Sequence, residues 1–300
     1  MFGIAGAWLA ACASAIPLLA ALAGHAAPFP AGSAQRTINV AGTPVEIHSY
    51  KPATYTGGPL LVSLHGLSRN ADGYRDYTAP LADRLGMLVI SPRLDRERFP
   101  TWRYQTGGMV RGENRVAAGD MTVEPMESWT GPFILKIVEA VRALEGRPKL
   151  PYYLIGHSAG GQALSRLAAF VPNSARRIVI ANASTHVWPT RTERFPFGFG
   201  GLPATLSDDA ALRRYLAQPV TLLLGAADVN RDRNLNITEG ADRQGSNRHE
   251  RGMNLFRAAR KMAADAGWEF NWRLVEVPGI GHSARRMYES PQAVAALGAD

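Results

Sequence analysis

Five short apolar runs constrain this chain more than any other feature: PLLVSLHG (59–66), MLVISP (87–92), YYLIG (152–156), RRIVIANAS (176–184) and VTLLLGAAD (220–228). Each is too short for a buried helix and ends in Gly, Pro or a polar residue, which suits a strand covered on both faces. Segments with helical spacing lie between and after them: YTAPLADRLG (77–86), WTGPFILKIVEAVRALEG (129–146), 159–171, DDAALRRYLA (208–217, with Ser207 as its expected cap) and NLFRAARKMAADAG (254–267). Two short strands, 36–40 and 45–52, open the pattern through Gly42-Thr43-Pro44. FNWRLVEVPG (270–279) supplies the last strand, and RRMYESPQAVAAL closes the chain. Strands alternating with helices predict an α/β fold, a mostly parallel central sheet with helices on both faces. No internal repeat or linker divides it, so 27–300 reads as one domain. Two long irregular stretches, 93–126 and 187–205, remain.

The 300 residues carry a formal charge of +8, with 46% hydrophobic and 19% charged residues. That balance excludes disorder and a polytopic membrane protein. The arginines are scattered, with no lysine tract or aromatic-interleaved basic motif. The charge therefore predicts a solvated basic surface and no nucleic-acid partner. Residues 3–24, GIAGAWLAACASAIPLLAALAG, are apolar and uncharged, and small residues near 21–26 offer cleavage positions. Residues 1–26 thus read as an export signal, with an extracellular or periplasmic destination. Two alternatives stay open: an uncleaved anchor, or a lipid anchor at Cys12 within LAAC. Cys12 is the only cysteine, so the folded part has neither a disulfide nor a thiol nucleophile.

In an open α/β sheet, ligands gather beyond the carboxyl ends of the strands. Three chemistry-bearing side chains fall at such ends here: Ser158 in GHSAG, Asp228 in GAAD and His282 in GIGH. Gly156 and Gly160 let a strand and a helix approach closely around a sharp turn that presents the serine. A serine hydroxyl is a poor nucleophile, so a histidine must take its proton during attack. A carboxylate then fixes the histidine tautomer and stabilises the imidazolium. Asp232, four residues beyond Asp228, could supply that carboxylate instead. The oxyanion formed on attack needs backbone N–H donors. Ala159, at the start of the following helix, and Leu67, after the 59–66 run, are the candidates. His65 reads as a structural residue of that loop, and His157 as part of the turn or the pocket wall. Trp102, Tyr104, Trp188, Phe195, Phe197 and Phe199 lie in loops and could line an apolar substrate pocket or cover the core beneath. His249-Glu250 lacks the second histidine of a zinc motif, and Glu127 reads as a surface or capping acid. No metal or cofactor is called for.

GHSAG on a strand–turn–helix, the upstream HG, the strand-end GAAD and the late GH together resemble the α/β-hydrolase superfamily over residues 36–298. The resemblance implies the α/β-hydrolase fold with a small cap segment at 187–205. It also implies a Ser158–Asp228–His282 triad and an oxyanion hole at Leu67 and Ala159. The stretch from GAADVNRD to GIGHS is similar to bacterial hydrolases of poorly assigned substrate. Some features resemble secreted polyester depolymerases and feruloyl-type esterases. The resulting expectation is a monomeric serine hydrolase of small or polymeric carboxylic esters. The same triad in a peptidase, amidase or acyltransferase, and a non-catalytic binding module, are the alternatives.

Overall fold

A computed structural model describes residues 2–3, 27–111 and 121–298 of the chain. The expected export signal and Cys12 lie outside the described residues, and no described helix is long and apolar enough to cross a membrane. In chain order the elements are β1 (Gly32–Val40), β2 (Thr43–Lys51), β3 (Leu60–Leu64), α1 (Ala71–Leu85), β4 (Leu88–Pro92), α2 (Thr101–Tyr104), α3 (Thr130–Leu144) and β5 (Tyr152–His157). There follow α4 (Ala159–Phe170), β6 (Ile178–Ala181), α5 (Ala204–Ser207), α6 (Asp209–Leu216), β7 (Val220–Gly225), α7 (Glu239–Asp242), α8 (Arg248–Ala266), β8 (Arg273–Val277), α9 (Ala284–Glu289) and α10 (Pro291–Leu297). The eight strands form one sheet in the order β1-β2-β4-β3-β5-β6-β7-β8. Only β2 runs against the others.

The apolar runs are continuous because both sheet faces are covered. Leu60, Val62, Leu64, Leu154, Ile178, Ile180, Leu222 and Leu224 pack against α3, α4, α6 and α8. The alternating residues Leu61, Val89, Ile155, Val179 and Leu223 meet α1, α9 and α10 on the opposite face. Each fully buried aliphatic side chain contributes about 1.5–3 kcal/mol relative to exposure. The chain leaves β3 toward β4 on one side and returns to β5 on the other, so order reverses between β3 and β5. The loops after these two strands therefore border a crevice at the strands' carboxyl ends.

Where the structure departs from the sequence expectation, a tertiary contact is responsible. Helix α1 starts at Ala71, not 77, because Ala71 and Tyr74 bury against the sheet even though NADGYRD reads as a turn. It ends on Gly86, whose φ of 61° is the left-handed cap a glycine accommodates. Helix α8 starts at Arg248, not 254, since Arg248 and Arg251 point inward within a polar run. Asp208, not Ser207, caps α6: its side chain accepts from the Ala211 N–H at 2.8 Å, while the Ser207 hydroxyl donates to the Leu202 and Pro203 carbonyls. Strand β6 stops at Ala181 because Asn182 turns to φ 44°. The basic balance is not wholly a surface property either: Arg69, Arg166, Arg248 and Arg251 are buried.

Candidate active site

Between β5 and α4 the backbone reverses at Ser158, held at φ 56°, ψ −114° with its N–H bonded to the Ala181 carbonyl at 2.9 Å. A non-glycine residue in this region costs on the order of 1–3 kcal/mol, maintained only when its surroundings fix it. The flanking glycines permit that fixing. A Cβ at Gly156 would come within 2.6 Å of Gly160, and one at Gly160 would land on the Leu64 carbonyl oxygen. The turn thus sits directly against the end of β3, lifting the serine side chain into the crevice.

The three strand-end residues meet there. His282 Nε2 lies 3.0 Å from Ser158 Oγ, and His282 Nδ1 lies 2.7 Å from Asp228 Oδ2. With Nδ1–H donating to the buried carboxylate, Nε2 is left as the acceptor for the serine O–H. Of the two acids open at the sequence level, Asp228 is the one against the histidine. Asp232 instead accepts from Arg248 at 2.6 and 3.0 Å, and the guanidinium holds its carboxyl down at about 2. Arg248 is fully buried, and its Nη1 also reaches Asp228 Oδ1 at 3.4 Å, so it spans both carboxylates. Asn182 ties the same region together. Its Oδ1 accepts from the Gly225 N–H at 2.8 Å, and its Nδ2 donates to the Gly281 carbonyl at 3.3 Å, next to His282. Neither Arg248 nor Asn182 carries a sequence signal, because each acts on loops far from it along the chain.

Around Ser158 the cleft measures about 330 Å³, and Leu67, Ala159 and His157 help to line it. Ala159 opens a helix, so its N–H has no intrahelical acceptor. No acceptor for the Leu67 N–H occurs among the described residues. The Leu67 loop is rigidly placed: His65 Nε2 accepts from the Leu94 N–H at 3.1 Å, its Nδ1 bonds the Gly66 carbonyl at 3.0 Å, and Tyr104 donates to the His65 carbonyl at 2.6 Å.

The expected substrate contacts divide. Trp102 borders a second cavity beside the cleft, and Phe195 and Phe197 form part of its wall. Tyr104 is a correction: it is fully buried, packs under Arg69 at 4.1 Å and supports the His65 loop, so it faces no cavity. Trp188 is a second correction, since it packs against the core and lines neither space. Phe199 is likewise a core residue, 4.8 Å from the Phe170 ring. His157 packs against His282 with ring centroids 4.5 Å apart and the planes tilted by 39°.

Three buried histidines are held neutral. Burial pushes His65 down to about 4 and His186 to about 3, and burial followed by the neighbouring His282 imidazole and Arg248 guanidinium holds His157 well below its usual range. A folded-state value below the unfolded ~6.5 means that the unfolded chain binds protons the native state does not. This contribution to stability is complete above about pH 6.5 and is lost as pH falls toward 4. Each imidazole is expected to cost about 1 kcal/mol per pH unit in that window, roughly 3–4 kcal/mol per unit for the three. Urea unfolding at pH 8, 7, 6 and 5 measures the slope. His186→Met should remove about a third of it, and equal midpoints throughout would contradict the assignment.

No protein-family model and no curated protein sequence matches the chain. Solved structures do. Poly(aspartic acid) hydrolase-1 of Sphingomonas sp. KT-1 superposes with a TM-score of 0.80 at 31% identity, covering 89% of this chain and 99% of that one. The LpqC poly(3-hydroxybutyrate) depolymerase of Bordetella parapertussis gives 0.79 at 32% identity, over 90% and 91% of the two chains. An S-formylglutathione hydrolase of Agrobacterium tumefaciens shares the fold alone, with a TM-score of 0.52 at 14% identity over 89% and 93%. At nearly a third identity along almost its whole described length, with the sheet order and the Ser158 turn set out above, the chain is a hydrolase and belongs to the α/β-hydrolase superfamily.

Proposed function

We propose that the protein is an exported serine hydrolase that cleaves carboxylic esters through an acyl-enzyme on Ser158. The observation that carries this reading is the continuous hydrogen-bonded line Asp228–His282–Ser158 at the foot of an open cleft. Ser158 Oγ attacks the ester carbonyl carbon as its proton passes to His282 Nε2, while Nδ1–H stays bonded to Asp228. The oxyanion is received by the Leu67 and Ala159 N–H groups, and each such donor contributes about 10²–10³ in turnover. Collapse breaks the bond to the alcohol oxygen, which leaves with the proton from His282. Water then attacks the acyl-enzyme with His282 again as base, releasing the acid and restoring the serine. The protein acts as a monomer on this reading. Likeness to a depolymerase and to a polymer hydrolase supports testing polymers beside small esters.

The test has two arms. A fluorophosphonate should label wild-type protein and fail to label Ser158→Ala. Matched p-nitrophenyl esters and p-nitroanilides should then differ by at least about 100-fold in favour of the ester. Absence of label on folded protein would make the scaffold a binding module. Equal turnover of the anilide would make it an amidase, and acyl transfer to an added alcohol outrunning hydrolysis would make it an acyltransferase.

A further inference from the structure

Beside the cleft lies a larger chamber of about 850 Å³, walled by three segments far apart in sequence: 100–106, 185–197 and 236–243. Gln105, Gln162 and Asn236 border both spaces, so the chamber opens onto the cleft that contains Ser158. Its floor and sides carry Trp102, Phe195 and Phe197. Gly240 on α7 has no side chain because the Phe197 ring occupies that place: a Cβ there would land on the ring carbons.

The polar groups at the junction are neutral. Among the described residues, no Lys, Arg, Asp or Glu lines the cleft around Ser158. The charged groups belong to the chamber wall, where Arg194, Glu239 and Arg243 take part, and Arg243 is bonded to Glu193 at 2.8 Å and to Glu239 at 2.9 Å, so its charge is balanced locally. Gln162, one helical turn beyond Ser158 and buried, is held in one orientation. Its Oε1 accepts from the Thr185 hydroxyl at 2.7 Å, and that hydroxyl accepts from the buried Arg166 at 3.1 Å. The amide oxygen being used, what remains to the shared wall is the Nε2 donor pair.

We infer that this chamber is a specificity subsite for an uncharged aromatic or comparably bulky apolar arm of the substrate, and that Gln162 donates to a carbonyl or ether oxygen where that arm leaves the scissile ester. The inference rests on the ester-hydrolase reading above. A flat ring buries its faces against Trp102 and Phe197, a gain a short acyl group cannot realise. A carboxylate carried at the junction would surrender its hydration to carboxamides, with no cation among the described residues that line the cleft. Gln162 in turn discriminates by chemistry, since a donor left without an acceptor in a buried wall penalises an arm that is all hydrocarbon there.

The experiment compares kcat/KM for four p-nitrophenyl esters: acetate, 3-phenylpropionate, phenoxyacetate and 3-(4-carboxyphenyl)propionate. Wild type should favour 3-phenylpropionate over acetate by about tenfold or more, and over its carboxylated analogue by a similar factor. Trp102→Ala opens the chamber wall, and Gly240→Ala pushes Phe197 into it. Both should bring the phenylpropionate/acetate ratio down about tenfold. Gln162→Leu should lower the phenoxyacetate/phenylpropionate ratio, in which intrinsic ester reactivity cancels between variants. The subsite is overturned if Trp102→Ala and Gly240→Ala both keep the wild-type ratio, or if the carboxylated ester is the better substrate. An unmoved ether ratio in Gln162→Leu overturns the role given to Gln162. Hydrolysis of acetate that persists in Ser158→Ala is a different failure, which sinks the esterase reading itself.

Discussion

Ser158→Ala is expected to lower kcat on a soluble ester by about 10⁵–10⁶-fold with the protein still folded. Removing the nucleophile of such a constellation leaves only binding and oxyanion stabilisation, which together retain a small part of the acceleration. The backbone at 158 tolerates the change because alanine keeps the Cβ already present at φ 56°, and the 2.9 Å bond from its N–H to Ala181 is a main-chain contact. Single-turnover kinetics under enzyme excess, beside circular dichroism of the variant, separates lost chemistry from lost fold. A loss below about tenfold would remove Ser158 from the reaction.

The second large effect distinguishes two neighbouring acids. Asp228→Asn should lower kcat by about 10⁴-fold, because an amide at 2.7 Å from His282 Nδ1 can favour the tautomer that leaves Nε2 protonated and unable to accept from serine. Asp232→Asn should cost less than about tenfold. Its oxygens hold Arg248, not the histidine, and Arg248 keeps its contact to Asp228. The comparison is informative because the two carboxylates stand four residues apart on one loop and share one buried cation. If Asp232→Asn proved the more damaging in kcat with KM unchanged, the orienting acid would have to be reassigned.

Much of this architecture is legible in the sequence. The doubly covered sheet follows from apolar runs such as VTLLLG, since a strand with one wet face would alternate. The Ser158 turn was legible because glycine at 156 and 160 leaves a chemical trace of backbone contact, and GAAD and GIGH end their strands at the same rim. Local pattern did less well wherever burial contradicts residue type. Arg248 and Arg251 sit in RHERGM, which has no apolar period, and only their inward placement makes that stretch helical. Tyr104 and Trp188 read as pocket aromatics for the converse reason: an aromatic in a loop looks alike in sequence whether it faces a ligand or the core.

By itself, the sequence determined the layer order, the strained serine turn and the three residues at the strand ends. Those depend on period, glycine placement and chain order, all of which are local. Which carboxylate meets His282, which face Gln162 offers to the cleft, and that Trp102, Phe195 and Phe197 enclose one chamber were decided only by the tertiary structure. These are relations between segments roughly 20 to 140 residues apart, set by packing and buried hydrogen bonds with no counterpart in any single stretch of the chain.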